Sequence, residues 1–168
     1  AVLAVAKKHN ILVISDEIYD QFTYSDDFIS PAQLYSNVLL LGGYSKTYAM
    51  TGWRIGYAAG DAQIIAEMIK LQQYTFVCAP SFAQIATLKA LNYDMSPYVK
   101  QYQEKRDIIY EGLKDNFKVV KPQGAFYIFP QIPEGVNVDK FVEKAIENKV
   151  LIIPGKVFSE SNKGFRIS

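Results

Sequence analysis

The sequence predicts an α/β fold, part of a mixed and mostly parallel sheet, followed by an α+β segment. Three observations carry that expectation. Residues 11–15 (Ile-Leu-Val-Ile-Ser) and 38–41 are short continuous apolar runs. That is the pattern of strands covered on both faces, as in a parallel sheet. From Gly42 to Trp53 the chain is too short for a helical crossover, so the strand expected over residues 53–59 runs antiparallel to its predecessor. Beyond the long helix that starts near Ser96, the order changes to strands clustered around a single helix.

Composition narrows the function classes. At 168 residues, 49% of them apolar, the chain is long enough for one ordinary domain or parts of two, with a sizeable core. Eighteen Lys and Arg against 17 Asp and Glu leave a formal charge of +1, without the basic footprint of a nucleic-acid partner. The single cysteine, Cys78, excludes an internal disulfide framework and any multi-cysteine metal site, so no metal is expected. It reads as a packed small hydrophobe. No apolar stretch approaches the roughly 20 residues of a membrane span, and no signal peptide opens the chain. A soluble, cytoplasmic protein is expected. The chain opens on AVLAVAKKHN without an initiating Met, and closes on the alternating Gly-Phe-Arg-Ile-Ser. It reads as a fragment of a longer protein.

The elements follow in order. The opening residues form a helical remnant ending near His9, which reads as a surface histidine favoured by the helix dipole. The strand of residues 11–15 ends in Ser15-Asp16-Glu17-Ile18-Tyr19. Ligands of open α/β sheets gather at the carboxyl ends of strands, so this acidic edge is a candidate site. A merely solvated strand-end aspartate is the plainer alternative. Residues 20–37 are loop-like, with Ser25-Asp26-Asp27 and Ser30-Pro31 as breakers. The strand of residues 38–41 leads into a loop carrying Lys46, and Arg54 follows inside the strand of residues 53–59. Asp61 can cap a helix with Ile64, Ile65, Met68 and Ile69 on one face. An extended link of residues 74–79 precedes a helix opened by the capping-box spacing of Ser81 and Gln84, with Phe82, Ile85, Leu88 and Leu91 as its apolar side. Ser96-Pro97 starts a long helix to about Asn116, with a domain boundary near Ser96. Strands are expected over residues 117–120, 125–129, 150–153 and 165–168, with a helix near residues 138–148.

Lys46, Asp16, Tyr19, Arg54 and Arg166 form the candidate site. A lysine at a sheet rim can form a Schiff base where neighbouring cations or desolvation lower its pKa. An aspartate at a neighbouring strand end can hold a protonated pyridine nitrogen. A tyrosine one turn on can bond a phenolic oxygen, and an arginine can grip a phosphate bidentately. Each residue alone is more often structural or solvated. The joint pattern is the signal.

Ser-Asp-Glu-Ile-Tyr, followed by Tyr-Ser-Lys-Thr-Tyr-Ala-Met-Thr-Gly-Trp-Arg-Ile-Gly-Tyr, resembles the class I/II pyridoxal-phosphate aminotransferases of fold type I. Pro122-Gln123-Gly124-Ala125-Phe126-Tyr127, Pro154-Gly155 and Gly164-Phe165-Arg166-Ile167-Ser168 fall in that family's order. The resemblance covers essentially the whole chain as the second half of such an enzyme, nearest the bacterial aspartate and aromatic branch. It implies that residues 1–95 are the C-terminal part of a cofactor-binding large domain and residues 96–168 part of a small domain. It implies pyridoxal 5'-phosphate as cofactor, amino acid and 2-oxo acid as substrates, and a homodimer. Lys46 would carry the Schiff base and shuttle the proton, and Asp16 would keep the pyridine nitrogen protonated. Tyr19 would donate to the ring oxygen, Arg54 and Ser45 would hold the phosphate, and Arg166 would grip the substrate α-carboxylate. Many members carry Ser or Thr three residues before the lysine, where this chain has Gly43. The same chemistry also serves C–S lyases and decarboxylases of this fold, and an aminotransferase-like domain can act as the ligand sensor of a transcription regulator.

Overall fold

The computed structural model describes residues 1–25 and 27–168; Asp26, one of the expected loop breakers, lies outside them. The chain divides into two compact units, Ala1–Met95 and Ser96–Ser168. No helix among the described residues is long and apolar enough to cross a membrane.

The first unit is built on a three-stranded mixed sheet. Helix α1 (Val2–Lys8) leads into β1 (Val13–Asp16), β2 (Val38–Gly43) and β3 (Gly56–Ala59). Strand β2 is central, parallel to β1 with Val13 opposite Val38, and antiparallel to β3 with Leu40 opposite Ala59. The short connection after β2 forces that antiparallel return, as the loop length predicts. Val38 and Leu39 are buried, as a central strand requires. Strand β1 departs from expectation. Among the described residues it pairs on one side only, and Ile14 stays 62% exposed.

Two further differences have local causes. Strand β3 starts at Gly56 and not at residue 53, because Thr51–Trp53 close a 3-10 turn that ends on Arg54 in the left-handed conformation, φ 54°. Cys78 is exposed, following Val77 at φ 62°, so it does not pack as a core side chain.

Helix α2 (Ala62–Gln73) begins where its cap predicts: the Asp61 carboxylate accepts from the Gln63 and Ile64 amides. Helix α3 (Ser81–Ala90) does not form the expected capping box. Pro80 takes the cap position, Ser81 lies within the helix, and the Gln84 side-chain amide donates to the Ala79 carbonyl at 2.8 Å. Its buried side is Ala83 and Thr87, while Phe82, Ile85, Leu88 and Leu91 face outward from this unit. Small residues on the inner face let the helix approach closely, which pattern reading by hydrophobicity alone inverts.

The second unit opens with α4 (Ser96–Leu113) and closes around α5 (Val138–Glu147), capped by the Asn137 side chain. Val138, Phe141, Val142 and Ala145 recur at helical spacing and pack with Ile132, Ile152 and Phe165 into one core. Phe117, Phe141 and Phe165 meet there, with ring centroids 5.2–6.0 Å apart. Burying Phe165 alone contributes about 1.5–3 kcal/mol.

Strands here are shorter than the sequence predicts. β4 (Ile153–Pro154) and β5 (Phe165–Arg166) pair antiparallel. Residues 117–120 and 125–129 are reduced to isolated bridges, Lys118 with Gln131 and Ile128 with Ile167. Pro130 has no N–H to extend that ladder, and Ala125 sits at φ 55°.

Candidate active site

In the first unit the candidate residues leave the carboxyl ends of two neighbouring parallel strands. Asp16 ends β1, opposite Leu41 of β2, and the Glu17 amide donates to the Leu41 carbonyl at 2.7 Å, extending the ladder one step. The chain then turns, with the Asp20 amide on the Glu17 carbonyl and the Phe22 amide on that of Tyr19. Phe22 is buried and anchors the turn. Asp16 stays exposed, with Oδ1 accepting from the Ile18 amide at 3.2 Å. Glu17, the buried member of the acidic pair, accepts from the Ser30 hydroxyl at 2.7 Å.

Lys46 is carried on a single helical turn after β2, closed by the Tyr48 amide donating to the Tyr44 carbonyl at 3.2 Å. Its neighbour Thr47 is 3% exposed, and the Thr47 hydroxyl donates to Asp20 Oδ1 at 3.3 Å. That bond ties the residue after Lys46 to the residue after Tyr19. The two candidate side chains meet accordingly: Lys46 Nζ lies 6.0 Å from the Tyr19 ring centroid. Ser45 is half-buried beside them.

Gly42 and Gly43 shape the approach. A Cβ on Gly42 would fall 2.4 Å from Cζ of Tyr57, whose ring covers the strand there. A Cβ on Gly43 would meet Ile18 Cδ1 at 2.9 Å and the Ile55 carbonyl oxygen at 3.2 Å. Tyr57 joins Tyr44 and Tyr48 in a ring cluster, with centroids 5.8 and 6.0 Å apart. Burial pushes the phenols of Tyr48 and Tyr57 above the ordinary tyrosine value, and the negative charge of Asp20 and then Tyr44 adds to it. Arg54 is exposed, with Nη1 donating to the Thr51 carbonyl at 3.0 Å, at the rim of an open cleft lined by Gly52, Trp53, Pro80 and Phe82.

Arg166 belongs to the second unit. It lies on β5, its guanidinium carbon 4.7 Å from the ring centroids of both Tyr127 and Phe158, and its Nε is buried without a hydrogen-bond partner among the described residues. Among the described residues, no group of three His, Cys, Asp or Glu is placed to hold a metal ion.

An amine, a phenol and a carboxylate at one sheet edge can together hold an electrophilic carbonyl compound, and the guanidinium groups suit anions. Sequence reading did not find Asp20, Thr47 or the tyrosine cluster. Asp20 and Thr47 were signalled only by adjacency to Tyr19 and Lys46, and Tyr57 joins the cluster only through the strand register.

A family model described as aminotransferase class I and II matches residues 1–168. The chain is 44% identical over 170 residues to a probable aspartate aminotransferase of Methanocaldococcus jannaschii, covering 96% of this chain and 45% of that protein. It is 34% identical to aromatic-amino-acid aminotransferase 2 of Thermococcus litoralis, covering 97% of this chain and 45% of that protein. The crystal structure of an aspartate aminotransferase from Thermotoga maritima superposes with a TM-score of 0.90 at 35% identity, covering 99% of this chain and 45% of that one. The chain thus spans a little under half the length of these relatives.

Proposed function

The chain belongs to the class I and II aminotransferase family, and on that premise we propose that the whole protein moves an amino group between an amino acid and a 2-oxo acid. The observation that carries the proposal is the pairing of Lys46 Nζ with the Tyr19 ring at 6.0 Å, held by the Thr47–Asp20 bond. The names of the relatives make L-aspartate the first donor to try and an aromatic amino acid the second.

The residues fit pyridoxal 5'-phosphate, the family's cofactor. The donor set matches its groups one for one: an amine for the aldehyde, a carboxylate for the pyridinium N–H, a phenol for the ring oxygen and a guanidinium for the phosphate. The cleft beside Arg54 leaves room at Gly52, where a Cβ would have nothing within 4 Å.

The cofactor supplies an electron sink for charge developing at the substrate Cα. With the cofactor bound, Lys46 Nζ would be the amine that holds its aldehyde carbon and the general base placed for the substrate Cα proton. Asp16 would accept the hydrogen bond of the pyridinium, and its exposed strand-end position leaves it reachable. The Tyr19 hydroxyl would donate to the ring oxygen, while Arg54 and Ser45 would take the phosphate. Gly43 offers no hydroxyl, so the phosphate relies on Ser45 and on backbone N–H groups. Arg166 binds the substrate α-carboxylate and orients the Cα–H bond. Residues 1–95 then serve as part of the cofactor-binding domain and residues 96–168 as part of the small domain, in a cytoplasmic homodimer.

The test is spectroscopic. The whole protein, given pyridoxal phosphate and L-aspartate, is expected to pass to the pyridoxamine form, and Lys46→Ala to lose that change. A protein that binds no cofactor overturns the reading. Turnover without any 2-oxo acid points instead to a lyase.

A further inference from the structure

We propose that Tyr127 and Phe158 are positioning residues that clamp the Arg166 guanidinium for a ligand carboxylate, an inference that rests on the reading of Arg166 as the carboxylate anchor. The register explains how one arginine gathers two rings. Strand β5 is flanked on both sides: Ile153 lies opposite Arg166 on one side, and Ile128 exchanges both backbone hydrogen bonds with Ile167, 3.0 Å each, on the other. Continuing that second register puts Tyr127 diagonally across from Arg166, within reach of a long side chain. On the other side, β4 runs into the 3-10 turn Gly155–Val157, closed by the Phe158 amide on the Gly155 carbonyl at 2.9 Å. Each neighbour therefore delivers one ring to 4.7 Å from the guanidinium carbon.

The rings are themselves braced. Phe129 meets Phe158 edge-on at 6.3 Å, and Phe126 lies 5.0 Å from Tyr127. The turn holding Phe158 sits close against β5, since a Cβ on Gly155 would fall 2.7 Å from the Gly164 carbonyl oxygen.

The arrangement carries a cost that needs a reason. Nε of Arg166 is buried without a partner, and a buried unpaired donor is unfavourable. Two ring faces offset part of that cost by cation–π attraction. With Nε enclosed, the two Nη groups are the donors left for a carboxylate, and they enter the bond with less rotamer freedom to lose.

The experiment uses the whole protein loaded with pyridoxal phosphate, and succinate, which has carboxylates but no amino group, as a probe read by calorimetry. Phe158→Leu and Tyr127→Leu keep apolar bulk and remove a ring. Each is expected to weaken succinate binding and raise KM by about tenfold while kcat changes little, because the carboxylate is gripped alike in ground and transition states. Phe158→Tyr and Tyr127→Phe, which keep a ring, are expected to restore succinate affinity. Leucine variants with native circular dichroism and unchanged succinate affinity overturn the clamp, while Arg166→Leu still losing succinate leaves the anchor reading standing. If Arg166→Leu binds succinate like the parent, the anchor reading itself fails, and the clamp with it.

Discussion

Thr47 and Asp20 are joined by a 3.3 Å hydrogen bond across 27 positions of sequence, and each stands next to a residue of the candidate site. Thr47 follows Lys46 and Asp20 follows Tyr19, so this bond sets how the amine approaches the phenol. Because Thr47 is buried, replacing it by valine leaves the Asp20 carboxylate facing an apolar group. Thr47→Val is expected to lower stability by about 1–2 kcal/mol, read from the denaturation midpoint of the whole protein. The visible absorbance of its bound pyridoxal phosphate is expected to titrate at a shifted pH.

Gly43 stands three residues before Lys46, where the family resemblance implies a hydroxyl, but the surrounding packing opposes adding one. Gly43→Ser puts a Cβ against Ile18 Cδ1 and the Ile55 carbonyl. The expected result is a loss of about 1–3 kcal/mol in thermal or chemical unfolding, not tighter cofactor binding. Ile18→Val removes the Cδ1 atom, so the double variant is expected to recover part of the loss.

Alkaline stability follows from the tyrosine cluster. The folded phenols of Tyr48 and Tyr57 ionise above 10.0, first through burial and then through Asp20. Their contribution is fully present below pH 10 and is lost as pH rises through the higher folded values, because the unfolded chain releases those protons first. Tyr57→Phe is expected to flatten the fall in unfolding free energy above pH 10. An unchanged slope in both Tyr57→Phe and Tyr48→Phe would contradict this.

Asp107 gives the opposite dependence. Hydrogen bonds from Lys121 and then Arg106 hold its carboxyl below 3.8, and Arg106 also donates to the Pro122 carbonyl at 3.0 Å, at the start of the loop that carries Tyr127. That stabilisation is present above pH 3.8 and is lost as pH falls through the lower folded value. Asp107→Asn is expected to remove this acid-side dependence in a pH series of melting temperatures.

What the sequence made legible was local or set by chain length. The Asp61 cap, the antiparallel return after β2 and the apolar spacing of α5 each follow from residues within one element or one connection. Misreadings arose where two local rules competed. Ser81 and Gln84 had capping-box spacing, but Pro80 took the cap. Residues 125–129 had strand composition, but Pro130 removed the ladder donor and Ala125 adopted a positive φ. Arg54 lay in an apolar run, yet the Thr51–Trp53 turn moved it ahead of the strand. In the site, Lys46 and Tyr19 stood out through their motifs. Asp20, Thr47, Tyr127 and Phe158 did not, because their roles depend on contacts that only the folded register creates.

The central claim is that Lys46 Nζ is the amine that holds pyridoxal phosphate. Borohydride reduction of the loaded whole protein, followed by peptide mass mapping, tests it most directly. The account predicts a phosphopyridoxyl group on the peptide containing Lys46 and none after Lys46→Ala. A label on another lysine, or no label on a protein that visibly binds the cofactor, would contradict it.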